Sequence, residues 1–245
     1  MSSESIVFIV TGAAFGGFVN GLAGFGTSLF ALGWWLQVMP PAAAVAVSLA
    51  MSLINGVQGV WLVRHAMDKR RLSRFLLPAL VGIPIGVLFL DHMNADLLKL
   101  IVAIFLLAYG LFFAFRRNLP DLRHPTPILD RIIGFLGGFF GAAAGLSGAL
   151  PTVWLSLRPW PKTERRALLQ PFNMVVLGLA ALLLALKGTY DSTVLLAIAI
   201  ATPAALASAQ VGIYVFKRMN DADFRRLLIF LMLASGLVLL VRSVL

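Results

Sequence analysis

The residues of this 245-residue sequence best suited to bind a ligand are small and uncharged, and they are concentrated in two short segments. The first reads NGLAGFGTS at 20–28, and the second reads GAAAGLSG at 141–148. Glycine lets a backbone approach a ligand closely, and the first turn of a helix has N–H groups without an internal acceptor. A glycine-rich break inside an apolar helix is therefore suited to binding a small anion.

Polar side chains that could complete such a site lie beside these glycines and in three other apolar segments. A polar side chain placed in hydrocarbon usually has a partner or a function. The predicted substrate-binding residues are Asn20, Gly24, Phe25, Gly26, Thr27 and Ser28 in the first segment, Gly145, Leu146, Ser147 and Gly148 in the second, Asn173 and Gln210 elsewhere, and more weakly Asn55 and Gln58.

Each of these features also has a purely structural interpretation. Glycines at four-residue spacing, such as Gly137, Gly141 and Gly145, allow two helices to pack closely without any ligand. The amides would equally form hydrogen bonds between neighbouring helices. Both interpretations stay open at the level of the sequence.

Residue patterns typical of enzymes are missing from the sequence. It contains no cysteine, and its three histidines are scattered in polar loops. No aspartate or glutamate falls in the middle of an apolar stretch. Without thiolates, paired carboxylates or a ligand cluster, we predict no catalytic residue, no metal and no cofactor. A membrane-embedded enzyme is the most distant alternative.

The composition is that of an integral membrane protein. Hydrophobic residues make up 60% of the chain and charged residues 12%, against about 45–50% and about 25% in soluble domains. Most of the apolar stretches are close to the ~20 residues that a membrane-spanning helix needs. They cover about 6–36, 42–63, 75–90, 97–115, 132–157, 167–186, 192–216 and 224–244.

An internal repeat relates the two halves of the chain. GFVNGLAGFGTSL at 17–29 aligns with GFFGAAAGLSGAL at 138–150, and the segment 82–111 aligns with 208–237. The second alignment matches Met93-Asn94 with Met219-Asn220. Two copies of a four-segment unit explain both alignments, and internal repeats are common in transporters.

The basic residues indicate how these segments cross the membrane. Seventeen of the 20 lysine and arginine residues lie in four connecting segments, at 64–74, 116–131, 158–166 and 217–226. All four share a side only if the first and fifth apolar stretches each enter and leave on one side. Since basic loops face the cytoplasm, we predict a re-entrant hairpin for each of these stretches. In the first, residues 6–36 would form two arms of roughly 14–15 residues with ~1.5 Å rise per residue.

The predicted fold class is therefore an all-α integral membrane protein with two inverted repeats. Each repeat comprises a glycine-broken re-entrant helical hairpin and three transmembrane helices. The first repeat covers 1–117, a cytoplasmic linker covers 118–130, and the second repeat covers 131–245. On this arrangement the net charge of +10 comes from basic loop residues that orient the helices in the membrane. We therefore expect no nucleic-acid partner.

The duplicated glycine motifs make the chain resemble the sulfite exporter TauE/SafE family, also called the toluene-sulfonate uptake permeases. The resemblance rests on GFVNGLAGFGTSL (17–29) and GFFGAAAGLSGALP (138–151), and it covers nearly the whole chain. It implies an inner-membrane permease for sulfur oxyanions or organosulfonates, such as sulfite, sulfoacetate, taurine-related sulfonates or thiosulfate.

These features predict a multi-pass transporter of the cell inner membrane, acting as an exporter of a small sulfur-containing anion. The anion would bind between two opposed helix tips at the membrane midplane. The expected partners are this anion and the lipid bilayer, and a homo-oligomer is left open. A small-anion channel is the main alternative, and it would differ by a flux that does not saturate.

Overall fold

A computed structural model gives the structure of residues 2–23, 25–63, 65, 68–115, 122, 124 and 126–244. These residues form ten helices without a strand. The helices are α1 Ser3–Ala23, α2 Thr27–Trp35, α3 Pro41–Val63, α4 Lys69–Leu90, α5 Ala95–Phe115, α6 Pro127–Ala144, α7 Ala149–Ser156, α8 Lys162–Leu186, α9 Ser192–Arg218 and α10 Asp221–Val244.

Six of the helices are long and apolar enough to cross a membrane: α1, α4, α5, α6, α8 and α9. Within the searched residues, α3 and α10 contribute shorter apolar segments, Pro41–Val57 and Arg226–Val241. Large apolar side chains such as Leu77, Val81 and Leu88 of α4 point outwards and are exposed. Helices with an apolar outer surface are stable only in lipid, and the protein is a multi-pass membrane protein, as predicted.

Two helical hairpins carry the glycine-rich segments. In the first, α2 runs back along α1. The Trp35 indole N–H, at the end of α2, donates to the Ile9 carbonyl near the beginning of α1 at 3.1 Å, while Asn20 contacts Thr27 near the turn. In the second, α7 runs back along α6, with the Trp154 indole N–H donating to Asp130 Oδ1 at 2.7 Å. The segments that connect the arms are here called the first tip (20–28) and the second tip (145–148).

The prediction of two arms of similar length in the first hairpin is wrong, and the arms of the second hairpin are unequal as well. The first arms, α1 and α6, have 21 and 18 residues, whereas the returning arms have nine and eight. The glycines of α1 do not end the helix, since Gly16 packs against α2 and Gly17 and Gly21 pack against α9. The glycines thus permit close packing along the long arm, and the chain turns only after Ala23.

The long arms pack against helices of the other half of the chain. Helix α6 packs closely along α4, where a Cβ added at Gly82 or Gly138 would overlap with a carbonyl oxygen of the partner helix. Helix α1 packs in the same way along α9, through Gly17 and Gly212. Glycine at these contacts lets the two backbones approach. Each hairpin is thereby held by the fourth helix of the other half.

The two halves also use the same residue to begin their last helix. Asn94 Oδ1 accepts from the Leu97 N–H at 2.8 Å before α5, and Asn220 Oδ1 accepts from the Asp223 N–H at 2.8 Å before α10. A side-chain acceptor before a helix satisfies an N–H group that has no internal partner. The cap pair coincides with the Met-Asn match of the sequence repeat.

One end of the bundle, here called the basic end, is where α3 leads into α4 and α7 into α8. Arg71 pairs with Glu164 at 2.8 Å, and its guanidinium lies 4.4 Å from the centre of the Trp160 ring. The Leu122 N–H donates to the Leu157 carbonyl at 2.8 Å, which brings the segment before α6 to the same end. Parts of three of the four segments predicted to be cytoplasmic therefore meet here.

The opposite end carries few basic residues. Lys187 pairs there with Asp91, and the Tyr190 hydroxyl donates to the Ala46 carbonyl at 3.3 Å. Burial raises the pKa of Tyr190 to about 12, so the phenol stays protonated and neutral at physiological pH. These contacts join the connections after α4 and α8 with the beginning of α3.

Candidate functional site

The two tips meet at a small cavity enclosed by α3 and α8. Its volume of about 40 Å³ would hold roughly three water molecules at ~10–15 Å³ each, or one small anion. The tips contribute Asn20, Phe25, Gly26, Thr27, Ser28 and Leu29 from one side and Gly145, Leu146, Ser147, Gly148 and Ala149 from the other. The remaining wall is formed by Ser52 and Gly56 of α3 and by Gln170, Asn173, Met174 and Leu177 of α8.

The first tip turns through Gly26, whose φ of 97° lies in the left-handed region. Glycine adopts this conformation without the steric cost that a side chain imposes. Asn20 at the end of α1 donates through Nδ2 to Thr27 Oγ1 at 2.9 Å. Because Thr27 accepts this bond, its own hydroxyl proton is available to a ligand in the cavity.

The second tip turns through Gly145, with a φ of 67°. The N–H groups of Gly145 and Leu146 donate to the Gly141 and Phe140 carbonyls at 2.9 and 3.0 Å, which closes the end of α6. Ser147 donates to Asn173 Oδ1 at 2.9 Å. The Ser147 hydroxyl proton is thus used in a hydrogen bond to α8. The Asn173 Nδ2 group lies close to Gly148 and is the donor that faces the tip.

The two tips are in direct contact. A Cβ added at Gly145 would overlap with the hydroxyl of Ser28, which is itself buried. Ser48 of α3 donates to Ser28 Oγ at 2.5 Å, so α3 holds the first tip against the second. Tyr109 of α5 closes a further side, since its hydroxyl donates to the Ala149 carbonyl at 2.6 Å and its ring lies 5.9 Å from that of Phe25.

The cavity is polar but uncharged. No Asp, Glu, Lys, Arg or His lines it among the residues that the structure describes. Its polar groups are hydroxyls, amides and the N–H groups at the beginnings of α2 and α7, which have no acceptor within their own helices. Each helix beginning carries a partial positive charge of about half a unit. The site can therefore hold an anion by hydrogen bonds and dipoles alone.

The structure brings together most of the predicted binding residues, but not all. Gln210 is exposed on α9 and does not line the cavity. Asn55 of α3 is not among the lining residues, although both of its side-chain polar atoms are buried and have no hydrogen-bond partner among the residues that the structure describes. Gly24 and the side chain of Gln58 lie outside the described part of the chain. As ligand contacts, all fourteen residues stay predictions.

Sequence reasoning missed four polar residues that bear on the site: Ser48, Ser52, Tyr109 and Gln170. Gln170 lies one helical turn before Asn173, and Ser48, Ser52 and Gly56 follow one another at four-residue spacing. Residues at these spacings share one face of a helix. This spacing could have identified the serines and Gln170 from the sequence. No feature of the sequence around Tyr109 indicated that it would contact both Phe25 and Ala149.

The described residues form an all-helical, multi-pass bundle around a small polar cavity, and comparison with known proteins shows that the protein is a membrane transporter. The profile described as Sulfite exporter TauE/SafE matches residues 8–239. The chain belongs to this family, as the glycine motifs predicted.

A curated relative supports the same class. A protein named "Probable membrane transporter protein" from Haemophilus influenzae is 24% identical over 177 residues, covering 68% of this chain and 69% of the relative. No solved structure matches the chain significantly.

Proposed function

We propose that this protein is an inner-membrane exporter of a small sulfur-containing anion, such as sulfite, sulfoacetate or another organosulfonate. The anion binds in the cavity between the two tips. N–H groups at the beginnings of α2 and α7 donate hydrogen bonds to the anion, and Thr27, Ser28 and Asn173 donate further hydrogen bonds. The observation that carries the proposal is that both glycine-rich tips line one small cavity, whose described lining residues are all uncharged.

The proposal includes an inverted repeat with two re-entrant hairpins. The reciprocal packing of α1 on α9 and of α6 on α4 supports it, because a two-fold relation between the halves exchanges these pairs. The gathering of basic segments at one end supports a cytoplasmic location for that end. On this view 1–117 and 131–245 are the two repeats, and 118–130 connects them in the cytoplasm.

An uncharged cradle suits export. A buried arginine would hold an anion strongly, whereas hydroxyl and amide hydrogen bonds contribute only about 0.5–1.5 kcal/mol each and allow release. A negative-inside membrane potential drives an anion outwards by about 2.3 kcal/mol per charge per 100 mV. Outward transport then needs no buried proton carrier, and the cavity offers no carboxylate for one.

Calorimetric titration of the purified protein with sulfite, sulfoacetate, taurine, thiosulfate and sulfate tests the proposal. Gly148→Val is the informative variant, because Gly148 has an ordinary φ of −81° and an added Cβ would lie 2.9 Å from Asn173 Nδ2. Gly178→Val is the matched control, since an added Cβ there meets nothing within 4 Å.

We expect Gly148→Val to abolish binding of the preferred anion and Gly178→Val to retain it. Efflux from proteoliposomes should saturate with concentration, which separates a carrier from a channel. Equal affinity in the two variants would show that the anion does not bind at the tips. Absence of binding for every sulfur anion in the panel would overturn the substrate class.

A further inference from the structure

Helix α3 carries a line of polar side chains that includes Asn55, a residue that does not line the cavity although its neighbour Gly56 does. Ser48, Ser52 and Asn55 stand at positions i, i+4 and i+7, which lie on one face of a helix. Ser48 holds the first tip and Ser52 lines the cavity. Asn55 is the next member of this face, one turn further towards the basic end.

The Asn55 amide is buried without a partner. Both Nδ2 and Oδ1 are inaccessible and neither makes a hydrogen bond within the described structure. Leaving such a group unsatisfied costs about 1–3 kcal/mol for each donor or acceptor, and buried polar groups in proteins are almost always paired. A polar species, either water or a transported ligand, is therefore expected beside Asn55.

Helix α8 presents a matching amide on the facing wall. Gly56 and Met174 lie opposite each other, because an added Cβ at Gly56 would be 2.9 Å from Met174 Sδ. The two helices run antiparallel, so Gln170 lies on the basic-end side of this contact. Gln170 is buried and lines the cavity. Towards the opposite end, α3 and α8 are closed by the apolar residues Val45, Leu49 and Ala180, which are fully buried.

We propose that the anion passes between the tips and the basic end along a hydrated path between α3 and α8, with Asn55 and Gln170 as its polar contacts. This inference rests on the proposed function, since it takes the tip cavity as the binding site. Asn55 is a contact of the path and not of the tip site. It acts when the ligand enters or leaves the cavity from the basic end.

Cysteine accessibility tests the path without requiring a known substrate, because the chain has no native cysteine. The probe is 2-sulfonatoethyl methanethiosulfonate, a small anionic thiol reagent that does not cross membranes. Asn55→Cys is compared with Ala180→Cys, a fully buried position in the apolar part of α8. In inside-out vesicles we expect Asn55→Cys to react at least tenfold faster than Ala180→Cys. Equal rates would overturn the path.

A second variant separates a path contact from an unpaired core amide. Asn55→Leu removes both polar atoms at similar volume, and Thr202→Val on α9 is the control for loss of a half-buried hydroxyl. Thermal unfolding and sulfite efflux from proteoliposomes are measured for both. We expect Asn55→Leu to reduce efflux at least tenfold at unchanged or raised Tm, with Thr202→Val at the wild-type efflux rate. Normal efflux with a raised Tm would show that Asn55 is only an unpaired amide.

These outcomes are distinct from failure of the proposed function. If Asn55→Cys is unreactive while Gly148→Val abolishes anion binding, the tip site stands and the path is wrong. If Asn55→Cys reacts while Gly148→Val binds normally, the path is hydrated and the site lies elsewhere.

Discussion

The two hairpins share a plan but are secured differently at their bases. In the second, the Arg158 guanidinium bonds to the Thr126 hydroxyl, to Asp130 Oδ1 at 3.2 Å and to the His124 carbonyl at 2.6 Å. This ion pair is almost fully buried. In the first, α2 is secured to α1 by one indole hydrogen bond, from Trp35 to Ile9, and by stacking of Trp34 on Phe15 at 5.7 Å.

The tips differ in a corresponding way. The second tip is closed by two backbone bonds at the end of α6 and is bonded to α8 through Ser147. The first tip is bonded within itself, by Asn20 and Thr27, and receives a bond from α3 through Ser48. The second hairpin therefore has the more strongly fixed base.

The largest expected contrast concerns the sides of the membrane on which the two bases lie. Inverted hairpins place Gln37 outside and Lys162 inside, together with the connecting segment at Asn118. Single-cysteine variants Gln37→Cys, Asn118→Cys and Lys162→Cys can be labelled in intact cells with an impermeant maleimide. We expect labelling of Gln37→Cys alone. Labelling of Lys162→Cys without Asn118→Cys would refute the re-entrant second hairpin.

The left-handed glycines of the two tips should differ strongly in their tolerance of alanine. Both substitutions carry the cost of a left-handed side chain, about 1–2 kcal/mol. An added Cβ at Gly26 has its nearest neighbour at 3.4 Å, an ordinary contact, whereas at Gly145 it overlaps with Ser28 of the facing tip. We expect Gly145→Ala to abolish anion binding and Gly26→Ala to weaken it only moderately, by calorimetry. Similar losses in both would mean that tip-to-tip contact is unimportant.

The bases of the hairpins should contribute unequally to stability. Arg158→Met leaves the Asp130 carboxylate buried beside Trp154 alone, and breaking such a pair costs about 3–5 kcal/mol. Trp35→Phe removes one hydrogen bond from the first base, at about 1–3 kcal/mol. Thermal unfolding in detergent should rank them in that order. The double variant Asp130→Leu/Arg158→Met should recover part of the loss, and no recovery would contradict the ion-pair explanation.

The smallest expected effect concerns how the tip hydroxyls are used. Thr27→Val removes a free donor and should weaken anion binding by about 0.5–1.5 kcal/mol. Ser147 should act through Asn173, so Ser147→Ala and Asn173→Ala should be non-additive by about 0.5–3 kcal/mol in a double-mutant cycle. Full additivity of the Ser147 cycle would contradict the assigned bond.

The sequence alone predicted the features that depend on local chemistry and composition. Apolar content required a helical membrane protein, because backbone polar groups in lipid must be satisfied within the segment. The glycine runs at 20–28 and 141–148 predicted where the chain turns, and their duplication predicted the family, which the profile match confirms. The Met-Asn match supported the internal repeat, and only the structure showed that both asparagines cap the helix that follows.

Only the tertiary structure decided which polar residues reach the cavity. The choice depends on which face of each helix is covered by a neighbour. Helix α9 packs its small residues, Ala205, Ala209 and Gly212, towards α1, so the adjacent Gln210 points away. Helix α8 turns Gln170 inwards together with Asn173. Helical spacing shows which residues share a face of a helix, but packing between segments distant in sequence decides which neighbour that face contacts. The same packing brings Arg158 and Asp130 together.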